Sequence, residues 1–150
     1  MTKYFLKSPC YGRVVRSNDM EISIFIPNKG NRNIFSIIEG LIKSVTFENG
    51  KYIKNVFGTE HIKGGKATIT ITNNNLHIKY SIFVGFPYRV NSIKFYNKKG
   101  NYVKRSKMIA KILDGSFCEI YLYKKYDIKR LINFNDKVIG GKTNIGFINI

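Results

Sequence analysis

Residues Lys66–Val84 read KATITITNNNLHIKYSIFV, and this stretch decides the fold class. From Ala67 to Ile71 apolar and hydroxyl side chains alternate, and beyond three asparagines the alternation resumes at Leu76. A period of two lines one face of an extended strand, whereas a helix needs apolar residues three and four apart. Isoleucine, threonine and tyrosine fit a pleated surface, and asparagine enters left-handed backbone cheaply. The stretch therefore predicts two antiparallel strands joined at Asn73–Asn75.

Working outward, Glu21–Ile26 (EISIFI), Leu41–Phe47 (LIKSVTF) and Phe117–Tyr123 (FCEIYLY) also read as strands. Turn chemistry separates such runs at Asn49-Gly50, Lys99-Gly100-Asn101 and Asp114-Gly115. A short helical turn is expected only around Lys125–Leu131. At 150 residues and 43% apolar the chain can build one ordinary core, and no Pro-, Gly- or Ser-rich linker divides it. A single all-β domain over residues 1–150 is expected.

The sequence also echoes itself. Ser8-x-x-x-Gly12 before Val14-Val15 matches Ser36-x-x-x-Gly40 before Leu41-Ile42, and Gly100–Ile109 resembles Asn135–Ile145. A turn, a valine, a second turn and a return strand form the repeating unit of lipoyl-type hammerhead folds. The expectation is a compact β-sandwich or barrel of barrel-sandwich-hybrid character with pseudo-symmetric strand repeats.

Charge is the largest compositional anomaly: 26 Lys and Arg against 9 Asp and Glu give +17. A field of that size attracts polyanions, either an anionic phospholipid surface or nucleic acid. Lys98-Lys99, Lys104-Arg105 with Lys107, Lys124-Lys125 and Lys129-Arg130 are the candidate anion-binding clusters. Interleaved aromatics such as Tyr96, Tyr102 and Tyr126 suit base stacking, although strand aromatics more often serve as core. Enrichment in Lys, Asn and Ile fits an A/T-rich genome, as in some large viruses. Cys10 and Cys118 lack the spacing of a zinc or redox motif and read as reduced thiols of the cytoplasm or a similar compartment. No metal site is expected. Met1–Leu6 is no signal peptide and no apolar run is long enough to span a bilayer, so a protein that is not secreted, soluble or peripheral to a membrane or virion, is expected.

These motifs fall in the order of a known family. Ser8-Pro9-Cys10-Tyr11-Gly12, Ile22-Ser23-Ile24-Phe25 and Ser36-Ile37-Ile38-Glu39-Gly40 resemble the opening Ser-Pro-x-Asp-Gly, Ile-Ser-Ile-Phe and Ser-Pro-x-Asp-Gly series of phosphatidylserine decarboxylases. Gly100–Ile112 and Leu113-Asp114-Gly115-Ser116 look like that family's approach to its self-cleavage site, and Asn135–Gly141 like its closing turn. The resemblance implies a serine hydroxyl at Ser116 that attacks the Gly115 carbonyl. An acyl shift, elimination and hydrolysis then leave an N-terminal pyruvoyl, which acts as the electron sink for decarboxylation of a phospholipid amine. No separate cofactor is needed.

The activating residues are different here. With the motifs in register the family histidine falls on Arg32 and its partner aspartate on Tyr11, while a proline becomes Ile37 and a second aspartate Glu39. Arginine stays protonated and cannot accept the serine proton, and neutral tyrosine cannot orient an imidazole as a carboxylate does. The expectation is a non-catalytic, decarboxylase-like basic scaffold that binds anionic lipid or another polyanion, with no pyruvoyl if Ser116 is unprocessed. An active pyruvoyl decarboxylase would need a substitute base, for which His61, in a glycine-rich loop, and His77, within a strand, are the candidates. A third reading is a nucleic-acid-associated packaging or virion protein.

Overall fold

The hairpin that decides the fold class lies within the largest sheet. In the computed structural model, which describes residues 2–18, 21–27, 30–54, 61–73, 76–84, 93–113, 117–121 and 127–149, β6 (His61–Asn73) and β7 (Leu76–Val84) pair antiparallel, with Asn73 opposite Leu76. Around them an eight-stranded sheet runs in the order β13-β2-β3-β11-β7-β6-β5-β9. Its other members are β2 (Gly12–Ser17), β3 (Glu21–Phe25), β5 (Gly40–Lys54), β9 (Tyr102–Val103), β11 (Phe117–Tyr121) and β13 (Lys137–Val138). Two three-stranded sheets complete the described chain. One joins β1 (Lys3–Lys7), β14 (Asn144–Asn149) and β12 (Ile128–Arg130), and the other β4 (Asn33–Phe35), β10 (Met108–Ile112) and β8 (Ile93–Phe95). Every pairing is antiparallel, so the chain is all-β and sandwich-like; among the described residues no sheet closes into a barrel.

Alternation sets the two faces of the large sheet. Ile22, Ile24, Ala67, Ile69, Ile71, Ile78, Tyr80 and Ile82 turn to the core, where they meet Leu6, Ile34, Ile109 and Ile145 from the small sheets in one hydrophobic cluster. Each fully buried isoleucine contributes roughly 1.5–3 kcal/mol of transfer free energy, against which the ordering of the backbone is set. Ser23, Thr68, Thr70 and Ser81 lie at the alternate positions, and the Thr68 and Ser81 hydroxyls hydrogen-bond across the strands at 3.0 Å.

Three local expectations are corrected. Asn49-Gly50 makes no turn between strands: β5 runs through it, and the extra residue on β5 is taken up by a register shift against β6 between Glu48 and Lys51. His61 is not in a loop but opens β6, opposite Lys54. The described part of Lys125–Leu131 holds no helical turn, because Ile128–Arg130 pairs with the free edge of β14 and places Ile128 opposite Ile148. A three-residue run gains more from a ready strand edge than from an isolated helical turn, whose nucleation is unfavourable. The expected turn at Asp114-Gly115 lies outside the described residues.

The sequence echo is a structural pseudo-dyad. Strands β1–β3 with β12–β14 make one half, and β4–β6 with β8–β10 repeat it. Gly12 sits opposite Val138, and Gly40 opposite Val103. The β2–β3 register slips between Val14 and Arg16, and the β5–β6 register between Ile42 and Ser44. The equivalence thus sets Val14 on Ile42, one position from the alignment of apolar pairs read in the sequence. The Ser8 amide and carbonyl bond to Thr143 and Gly141, and those of Ser36 to Lys107 and Ser106. Each serine hydroxyl also closes a turn by donating to a carbonyl two residues on, Cys10 or Ile38. Positive φ recurs at Asn135 and Gly100, and again at Gly141 and Ser106. The halves are bonded to each other where Lys7 N–H donates to Ile37 and Phe35 N–H donates to Pro9.

Candidate functional site

Arg32 stands immediately before β4, where the Asn31 side chain accepts from the Asn33 amide at 2.9 Å and fixes the entry of the chain. The Arg32 carbonyl accepts from the Ile112 amide at 3.0 Å, and its guanidinium donates to the Leu113 carbonyl at 3.2 Å. Antiparallel pairing of β4 with β10 makes this possible, since it carries Lys111 past Asn33 and delivers Leu113 to the arginine. Beyond the site, Phe117 enters β11 between Phe25 and Phe83. Arg32, the position onto which the sequence resemblance sets the family histidine, therefore contacts the segment leading to Gly115-Ser116. Asp114, Gly115 and Ser116 themselves lie outside the described residues. A guanidinium only donates, so at this point it anchors a carbonyl and cannot take a proton.

Tyr11 packs as an aromatic. Its ring lies 6.1 Å from that of Phe35, tilted by 56°, and the Gly140-Gly141 turn closes over the pair. A Cβ at Gly140 would meet Phe35 at 2.7 Å and Tyr11 at 2.9 Å, so the turn sits flush against both rings. In the other half the equivalent position is Glu39, whose amide donates to the Tyr4 hydroxyl at 2.9 Å. The Tyr102 hydroxyl is held above the ordinary tyrosine range, first by desolvation, then by repulsion from and hydrogen bonding to the Glu39 carboxylate.

The two histidines lie on one ribbon of strands. Of His61 the description covers the backbone at the start of β6. His77 is half-buried on the outer face, opposite Thr72, and shares a shallow hollow of about 380 Å³ with Lys43, Lys66 and Lys79. Ser44, Thr46, Thr68 and Thr70 supply hydroxyls to the same hollow. Cations beside hydroxyl donors suit an anion, a chemistry unlike that of a general base. The sequence reading missed Lys43, Lys66 and Lys79; their signal is that they occupy outward positions next to the threonines of the deciding hairpin.

The basic clusters divide by what their side chains do. Lys98, Lys99, Lys104 and Lys107 are exposed around the turns on either side of β9. Arg105 lies over the Tyr4 ring at 5.0 Å and donates to the Phe5 carbonyl at 2.9 Å, which fixes its charge to the fold. Lys129 pairs with Asp127 at 3.3 Å, and Arg130 donates to the Ser17 hydroxyl at 2.9 Å. Lys124 and Lys125 lie outside the described residues. Among the described residues no group of three or more His, Cys, Asp or Glu could hold a metal, and no helix is long and apolar enough to cross a membrane.

Comparison of the chain with protein-family models, with curated proteins and with solved structures finds no match.

Proposed function

We propose that the chain is a non-catalytic domain of the phosphatidylserine decarboxylase type, a basic scaffold that binds anionic lipid and forms no pyruvoyl group at Ser116. The observation that carries this reading is the Arg32 guanidinium, which donates to the Leu113 carbonyl two residues before Gly115. A serine hydroxyl attacks its neighbouring carbonyl only when a base takes its proton, and removal of such a base typically costs 10²–10⁴-fold in rate. The fixed positive charge at this point favours an anion over proton abstraction. The +17 net charge supports the binding half of the proposal.

The test is the intact mass of freshly purified protein under denaturing conditions. One unbroken chain near 17.3 kDa is the expected outcome. Two fragments split between Gly115 and Ser116, with a pyruvoyl mass on the second, would overturn the non-catalytic reading and send the search for a base to His61 and His77.

A further inference from the structure

The segment from Leu131 to Ile139, which follows β12 and includes β13, carries three large apolar side chains in solvent: Leu131 is 45% exposed, Phe134 72% and Ile139 47%. Between them Ile132 and Val138 turn inward and are buried, so the segment is pinned to the core while its alternate side chains stand out. The backbone is fixed along its length. Leu131 N–H donates to Ile145, the Ser17 hydroxyl to the Ile132 carbonyl, and Asn135 N–H to Val14. The Asp136 carboxylate accepts from the Asn133 amide at 2.8 Å and the Thr143 hydroxyl from the Ile139 amide at 2.7 Å. Phe134 therefore projects from a rigid turn beside Asn135, whose φ is 75°.

The segment and the chain on either side of it carry the exposed cations Lys129, Arg130, Lys137 and Lys142, and exposed Arg13 meets it from β2. Arg13 donates to the Asn135 carbonyl and side chain, which places a guanidinium directly beside the aromatic turn. Asp127, just before β12, is paired with Lys129, and Asp136, the one acid of the segment, caps the turn. The equivalent turn of the other half has the same backbone: Lys98 N–H donates to the Asn101 side chain, and Asn101 N–H to the Lys98 carbonyl. There Lys99 takes the place of Phe134 and Lys104 that of Ile139. The apolar character is thus a property of these side chains and is not required by the turn.

We propose that this segment is a membrane-insertion tip: Phe134, with Leu131 and Ile139, enters the interfacial layer of an anionic bilayer while Arg13 and the exposed basic side chains of the neighbouring stretch of chain contact the headgroups. The inference rests on the reading of anionic lipid as the partner. A protruding aromatic with a guanidinium beside it and further exposed cations along the same stretch of chain matches the order of layers in such a membrane, with acyl chain beneath and anionic headgroup around. A rigid tip also loses little conformational freedom on binding.

The experiment is flotation of the full chain with phosphatidylcholine vesicles, with and without phosphatidylserine. Wild type is expected to float with the phosphatidylserine vesicles, more weakly at high salt. Phe134→Ser is expected to lower that partition roughly tenfold, by removing the largest single share of the transferred apolar surface. Tyr96→Ser, at the equivalent of Leu131, should change it little. The Phe134 side chain is mostly in solvent, so the variant keeps the fold, which its thermal melt checks. The chain contains no tryptophan. Phe134→Trp is therefore a unique probe, expected to shift its emission to the blue on vesicles and to be quenched by brominated acyl chains. Binding that is unchanged in Phe134→Ser, or a Trp probe that stays open to iodide in the bound protein, overturns the tip and leaves the lipid reading standing. Wild type that ignores phosphatidylserine vesicles but retards single-stranded DNA overturns both and gives the basic surface to nucleic acid, whatever the intact mass shows.

Discussion

Where one half of the molecule places Tyr11, Phe134, Ile139 and Gly141, the other places Glu39, Lys99, Lys104 and Ser106 at the equivalent points of the pseudo-dyad. The backbone hydrogen bonds at these points are shared, down to the side-chain caps from Asp136 and Asn101. What differs is the chemistry shown to the surroundings: one end is apolar and aromatic, and the other carries a carboxylate and lysines. The constraints of the fold act on hydroxyls inside turns, on glycines under a neighbouring strand and on φ. They leave outward side chains free to diverge.

The sharpest way to break the comparison is at the glycines under each crossing. A Cβ at Gly12 would stand 2.1 Å from the Phe25 carbonyl oxygen, and one at Gly40 2.4 Å from that of Thr72. Gly12→Ala and Gly40→Ala are each expected to cost on the order of 3 kcal/mol or more in urea unfolding, because backbone must move to admit the methyl group. A large loss at one site and none at the other would show that the halves are equivalent in outline only.

A smaller effect tests the left-handed pair. Ser106 has φ 70° and its counterpart Gly141 φ 74°. Ser106→Gly should stabilise by about 1 kcal/mol through relief of that backbone, and Gly141→Ala should destabilise by about 1–2 kcal/mol, as thermal melts would report. Equal signs would refute the equivalence of the two turns.

The smallest effect distinguishes the acidic end. Tyr102 is expected to ionise above the usual tyrosine value of 10.0, followed by the ultraviolet absorbance of its phenolate, and Glu39→Gln should lower it part of the way. Since the folded value is the raised one, the associated stability is present below the unfolded pKa and fades as pH climbs through the folded one. A titration indifferent to Glu39 would remove the carboxylate from the account.

The parts of this fold legible in the sequence were those written in period two or in turn chemistry. Lys66–Val84 needed only its own alternation, and the echo of Ser8–Gly12 in Ser36–Gly40 announced the duplication. Asn49-Gly50 misled because a dipeptide that favours a turn is also tolerated in a bulge, and the pairing of β5 with β6 on both sides decided between them. Strand β12 was invisible because a three-residue strand is specified by its neighbour β14 and carries no signal of its own. The approach of Arg32 to Leu113 joins points far apart in the chain and depends on β4 meeting β10. Phe134 did leave a trace, as an aromatic among Asn133, Asn135 and Asp136, but exposure is a property of the folded chain.

The arrangement of the halves also bears on how the chain is made. The strands of one half are interrupted by the whole of the other: β1 pairs with β14, and β10 of the inserted half is complete at Ile112. On a ribosome β1–β3 emerge first, yet β1 waits for its partner until Asn144–Asn149 has been synthesised. The inserted half has all of its partners much earlier, so it is the part able to assemble during translation and to template the half that encloses it.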